Sequence, residues 1–378
     1  GKGSRKVRGR GNFVSFLSKT SINKFLKIIK EMIKKSVVEK VNDAKIYSVQ
    51  LDTTQDISST DICSIIIRTV TDEVNENLLA AVPVSSSTGA AFLDLLKDVF
   101  EKTGVDLKNC VGNSTDGASN MRGIYKGFSA NLSKLNPWQL HVWCYAHVLN
   151  LVIADAAGEK LSASSLFSNL NKAGVFIKES YKRMNVWKNL TQNDLRRIGT
   201  IGKTRWTAKQ AALSKIFGCY RKPGKCLFVS LILFFEDIST NKEFRPEVRV
   251  DAKALLDFFL KKETILTAHI FLRIFKITTF LSKYLQTEGM NILVAERMKN
   301  TVVNKLKKIQ RDFGDIKKKT VKFISWSNQV LDKKNSEHEV ATKFPIVRKR
   351  IKKSMPGEKA KDEVIESPEK NYEVNVHN

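Results

Sequence analysis

The chain is short of acidic residues, sparing with cysteine, and free of long apolar runs. Its five cysteines, Cys63, Cys110, Cys144, Cys219 and Cys226, are odd in number and irregularly spaced. That argues against a disulfide framework and for a reducing compartment. No uninterrupted apolar run reaches the ~18 residues that a membrane helix needs. The basic opening GKGSRKVRGR is not followed by an apolar secretory core. A soluble intracellular chain with no membrane partner is therefore expected. No internal repeat is evident. Acidic residues number 38 against 65 Lys and Arg, a net charge of +27. Such an excess points to a polyanion, most simply nucleic acid, rather than a small-molecule substrate. The alternative is charge that serves only solubility.

What is present suffices for a substantial core. Of 378 residues, 42% are hydrophobic, enough for two domains or one with a large insertion. Residues 1–45 read as a basic lead-in followed by an amphipathic helix over Phe13–Val41. Ile22, Phe25, Leu26, Ile29, Met32 and Ile33 share one face of it, with lysines on the other. Residues 46–160 change period. Strands are expected at 46–52, 61–70 and 77–84, the last two joined as a hairpin by a turn within 69–77. A helix capped by Thr88 and ended by Gly104 follows, with Phe92, Leu95, Leu96 and Val99 as its apolar face. A short strand over 107–116, a helical segment to about Leu135, a strand at 141–146 and a buried helix at 147–157 complete this part. A meander followed by alternating units predicts an α/β fold, a mixed sheet with helices on its faces. Over 161–333 the strand signals fade into an all-helical block, with helices expected at 164–190, 226–239, 248–285 and 290–313. Residues 334–378 are charged and read as a linker or a disordered tail.

Two aspartates stand out. Asp52 falls at the end of the first expected strand. Asp116 falls at the end of the fourth, among the small residues of GNSTDGASNM. In a meander-first sheet those two strands can be neighbours, which would bring the carboxylates together. Paired carboxylates can hold divalent cations, and oxygen ligands suit magnesium or manganese. An Asp after a strand also commonly caps the next helix, and Asp56 or Asp61 could replace Asp52 as a ligand. His141, Cys144 and His147 have metal-compatible spacing, yet a structural zinc site needs four ligands. Cys144 as a small buried hydrophobe and His147 hydrogen-bonded at a helix start is the other reading. Trp206, preceded by Arg205, is either a packing anchor or a base-stacking platform. The basic runs 305–322 and 348–353 are solvated faces or, for RKRIKK, a nuclear-localisation signal or DNA arm.

Taken in order, VQLDTTQDIS, GNSTDGASNM, HVWCYAHVLNLV and GKTRWTAK resemble the hAT superfamily of DNA transposases, in particular transposon-derived proteins that often carry MYM-type zinc fingers. The resemblance runs from about residue 40 onward. It implies a ribonuclease H-like mixed sheet interrupted by a large all-helical insertion domain, and a catalytic triad of two aspartates and a glutamate that binds Mg2+ or Mn2+. Asp52 and Asp116 match the two aspartates. Cys144 and His147 match a Cys-x-x-His element of uncertain role. Arg205 and Trp206 match the start of the insertion, where a tryptophan handles flipped-out DNA. The glutamate finds no counterpart, since Glu296 in VAERMKN lies within the helical block. The chain thus reads as a fragment without the N-terminal DNA-binding and C-terminal dimerisation segments. The expectation is a nuclear, transposase-derived DNA-binding protein, homo-oligomeric in its full-length form, with an incomplete strand-transfer site and negligible activity. A protein-interaction scaffold of the same origin is the alternative.

Overall fold

The computed structural model describes residues 18–116, 119–191, 206–218, 226–345 and 367–377. Arg205 lies outside them, as does the side chain of Trp206. The chain divides into two compact units, 1–148 and 149–378. The division falls inside a helix, twelve residues before the expected change at 160.

The first unit opens with α1 (Lys19–Ala44), whose N-cap Ser18 accepts a hydrogen bond from the Ser21 amide. The strands β1 (Tyr47–Gln55), β2 (Asp61–Val70) and β3 (Val74–Pro83) form the meander. Then come α2 (Gly89–Thr103), β4 (Cys110–Thr115), the short α3 (Ser119–Arg122), α4 (Phe128–Leu135), β5 (Leu140–Trp143) and α5 (Tyr145–Gly158). The sheet order is β3-β2-β1-β4-β5. β1 pairs antiparallel with β2 and parallel with β4, and β5 is parallel to β4. This is the mixed sheet that the element order predicts. Thr88 caps α2, and Gly104 ends it at φ 73°, a conformation that costs glycine nothing sterically.

Alternation decides which side of the sheet is core. Val49 and Leu51 of β1 and Cys63, Ile65 and Ile67 of β2 point to one face. There they pack with Val37 and Val41 of α1, Phe92, Leu96 and Phe100 of α2, and Phe128 of α4. Gly89 lets α2 approach α4 closely, because a Cβ there would fall on the Lys126 carbonyl oxygen. The opposite face carries Leu78, Leu140 and Val142 exposed.

Four expectations change here. β1 runs on to Gln55, because its antiparallel partner β2 continues to Asp61, so Asp52 is not the last residue of its strand. The stripe Ile22–Ile33 of α1 is exposed rather than core, since it is Val37, Val38 and Val41 that pack with the sheet. α5 is only partly buried, with Val152 59% exposed. Cys144 is exposed, not a buried hydrophobe.

The second unit has helices and no strand among its described residues. It contains α6 (Leu161–Lys178), α7 (Tyr181–Leu190), α8 (Trp206–Phe217), α9 (Phe228–Thr240), α10 (Pro246–Phe259), α11 (Lys262–Tyr284), α12 (Ile292–Gln310), α13 (Phe313–Lys333) and α14 (Pro368–Tyr372). The expected helix 164–190 is two helices, as is 248–285. The basic run 305–322 is shared between the end of α12 and the start of α13, where its lysines form an outer face while Ile316, Phe323, Ile324 and Leu331 of α13 are buried. The core is rich in aromatics. Trp187 meets Phe234 edge-on at 5.7 Å, and Phe228 meets Phe323 at 5.2 Å. α11 is long and apolar enough to cross a membrane by length and composition, contrary to the sequence expectation, but 67% of its most apolar stretch is buried inside the structure.

Parts of the expected tail are docked. Glu236 accepts hydrogen bonds from the Ser336 hydroxyl (2.7 Å) and the Glu337 amide (2.8 Å). Val340 is buried, and the Ala341 amide caps Leu260 at the end of α10 (2.8 Å). Tyr372 packs with Leu266, Ile270 and Ile316. Apolar residues spaced through a charged stretch are what composition alone averages away.

Candidate metal centre

The register of the sheet determines where the two aspartates stand. The last paired residues of β1 and β4 are Gln50 and Ser114. Asp52 and Asp116 each lie two residues further on. Partners in a parallel ladder share a face, and side chains repeat every two residues. That alternation places Asp52 on the face of β1 away from the core, while Asp116 is the first residue past the end of β4, the strand adjacent to β1 at about 4.8 Å. Asp52 is exposed and Asp116 half-buried. Their surroundings are small. Asp52 pairs with Ser64, and Ser64 with Ala81. Ser114 precedes Asp116 by two residues.

The candidates to replace Asp52 are engaged elsewhere. Asp56 accepts from the Ser58 amide (2.8 Å), the Ser58 hydroxyl (2.7 Å) and the Thr60 amide (2.9 Å), closing the β1–β2 turn. Its carboxyl is held below the usual range, first by the Ser58 side chain and then by the Thr60 amide. Asp61 pairs with Gln55 at the base of that turn. Glu76, on the same face as Asp52, is tied to Arg68 at 3.0 Å and to Gln50 at 3.2 Å. Behind the site, burial and then the charge of Asp52 push the Cys63 thiol up to about 11, which keeps it protonated.

The Cys-x-x-His element sits beside this edge. The Cys144 amide extends the β4–β5 ladder by donating to the Thr115 carbonyl at 3.1 Å. Cys144 follows β5 at the row of Asp116, and His147 lies in the first turn of α5, half-buried. No group of three or more His, Cys, Asp and Glu converges at metal-binding distance among the described residues. His147 makes no side-chain hydrogen bond among them. Glu296, on α12 of the other unit, is paired with Lys299 at 2.7 Å.

Sequence reasoning missed a polar network on the core side of β4 and β5. Gln139 donates to the Ser129 carbonyl and to the Ser133 hydroxyl (2.8 Å). Its oxygen must then accept from the Asn113 amide nitrogen. That leaves Asn113 Oδ1 to accept from His141 Nδ1 at 2.6 Å. The chain of donors assigns the His141 proton to Nδ1, and burial lowers its pKa. The Nδ1 side of His141 is thus committed to the fold, while its Nε2 is buried with no hydrogen-bond partner among the described residues. Asn113, inside GNSTDG, and Gln139, two residues before His141, were the available signals.

One comparison bears on this geometry. Residues 11–127 match the family model described as DUF4371: ZMYM1/FAM200, RNase-like domain, a transposase-derived family. The match spans α1 through α3, and so includes Asp52 and Asp116. It stops short of Cys144, His147, Arg205 and Trp206.

Proposed function

We propose that this chain is a transposase-derived DNA-binding protein of the hAT type whose RNase-like unit keeps two of the carboxylates of a strand-transfer site and does not carry out strand transfer. The observation that supports it is the register that sets Asp52 on β1 and Asp116 just past the end of the adjacent β4 in a β3-β2-β1-β4-β5 sheet, within the segment similar to an RNase-like domain. Asp52 and Asp116 are oxygen donors with small neighbours, a donor set that fits Mg2+ or Mn2+. A cation there would supply positive charge to a phosphodiester. Phosphoryl transfer depends on positioning and charge stabilisation, and no third carboxylate stands with the pair among the described residues. The net charge of +27 supports a DNA partner and a nuclear location. Arg205 and Trp206 are proposed as DNA contacts from the resemblance.

The test is a salt-titrated binding assay of the whole chain on duplex and hairpin DNA, with Mn2+ binding measured in parallel. Affinity should fall steeply with salt, and Asp116→Asn should weaken Mn2+ binding. Absence of DNA binding at low salt would favour the scaffold reading, for which the exposed stripe of Phe25, Leu26, Ile29 and Met32 on α1 offers a protein-binding face. Joining of terminal-repeat DNA in Mn2+, abolished by Asp116→Asn, would refute the inactivity.

A further inference from the structure

The helical unit contains a groove of about 830 Å3 between α11, α12 and α13, within the range of small-ligand clefts. Its walls follow helical periodicity. Lys276, Ile277 and Phe280 lie on one face of α11, and Arg297, Met298, Val302 and Lys305 on one face of α12. Five basic side chains, those of Arg273, Lys276, Arg297, Lys305 and Lys319, line it against the single carboxylate of Asp315.

The charges divide into two sets. At the base, Arg273 bridges Asp312 (2.6 Å) and Asp315 (3.1 Å), and Lys319 reaches Asp315 at 3.0 Å. These pairs fix the packing of α13 against α11. Arg297 and Lys305 have no ion-pair partner among the described residues and are exposed. They stand eight residues apart on α12, about 12 Å along its axis. Between the charges lies an apolar floor of Ile277, Met298 and Val302, with Phe280 72% exposed at its edge.

We infer that this groove binds single-stranded or unpaired nucleic acid, a base stacking on Phe280 while phosphates of the same strand meet Arg297 and Lys305. Spaced cations alternating with an accessible aromatic ring fit a strand whose bases are free. A duplex hides its bases, so it would engage only the cationic rim. The inference rests on the DNA-binding reading for the class of polymer alone, and it is independent of the aspartate pair.

The test is fluorescence anisotropy on the whole chain, using a labelled oligothymidylate of about ten nucleotides and its duplex with oligoadenylate. Phe280→Ala should weaken single-strand binding about 5- to 150-fold. Arg297→Glu combined with Lys305→Glu should reduce the salt slope on the single strand by about 1.4. All variants should keep the parent melting temperature because the altered side chains are exposed. Unchanged single-strand affinity in Phe280→Ala, or an equal loss on duplex, would overturn the inference. So would an alternating Glu-Leu peptide that binds more tightly than the oligonucleotide and displaces it, which would assign the groove to an acidic protein partner. Single-strand binding that persists when the whole chain fails on duplex and hairpin DNA would refute the proposed function alone. Duplex binding that persists with an inert Phe280 would refute this inference alone.

Discussion

Acidification should destabilise the helical unit through one buried imidazole. His269 sits in α11 at 4% exposure, its Nδ1 2.9 Å from the Thr320 hydroxyl and its ring edge-on to Phe323 at 5.2 Å. The Thr320 hydroxyl donates to the Ile316 carbonyl, so it accepts from the imidazole Nδ1–H. Burial, with the positive charge of Lys319 second, lowers the His269 pKa to about 4. Protons therefore bind the unfolded chain more readily than the folded one. The stability due to neutral His269 is fully present above the unfolded pKa near 6.5 and is lost as the pH falls toward about 4. With half the folded molecules protonated at pH 4, that loss is about 3 kcal/mol between pH 7 and pH 4. The assay is urea unfolding of the whole chain at pH 7, 5.5 and 4, followed by far-ultraviolet circular dichroism, for the parent and His269→Gln. The variant should be less stable at pH 7 and lose about 3 kcal/mol less on acidification, since the other titrating groups are common to both. Parallel pH profiles would refute the argument.

Other substitutions probe separate parts of the structure. Gly89→Ala should destabilise the first unit by about 1–3 kcal/mol, read by thermal melting, because a Cβ meets the Lys126–Phe128 backbone. Trp187→Ala should cost about 3–5 kcal/mol in urea unfolding, since the ring is 2% exposed and packs on Phe234. Asn113→Ala should cost about 1–3 kcal/mol by orphaning both Gln139 and His141; a neutral result would mean that water replaces it. Tyr372→Phe removes a hydroxyl that donates to Thr267, itself a donor to the Glu263 carbonyl. It should cost about 0.5–1.5 kcal/mol in urea unfolding.

The sheet was readable because its signals are local. DICSIIIRTV alternates between the core and the outer face over its whole length. Thr88 and Gly104 mark the two ends of α2 by cap chemistry that depends only on neighbours in sequence. The helical unit was less legible. Continuous amphipathic patterns over 164–190 and 248–285 do not show where a helix breaks, and no proline or glycine marks the break at Glu179–Ser180 or at Leu260–Lys261. α13 was hidden by its lysines, which occupy one face while Ile316, Phe323 and Ile324 fill the other. The α1 stripe misled in the opposite direction. Amphipathicity shows that a helix has an apolar face, but not that anything within the same chain covers it.

For the aspartates, sequence order supplied the neighbours and the register supplied the alignment. Strand ends alone did not suffice, since β1 runs three residues beyond Asp52. Asp52 and Asp116 lie at equal displacement from Gln50 and Ser114, past a bulge at Tyr47–Ser48. Without that bulge the register would shift by one residue, and in a strand a one-residue shift moves a side chain to the other face. The two aspartates would then no longer stand at equal displacement. The irregularity between β1 and β4 is therefore as much a part of the candidate site as the carboxylates themselves.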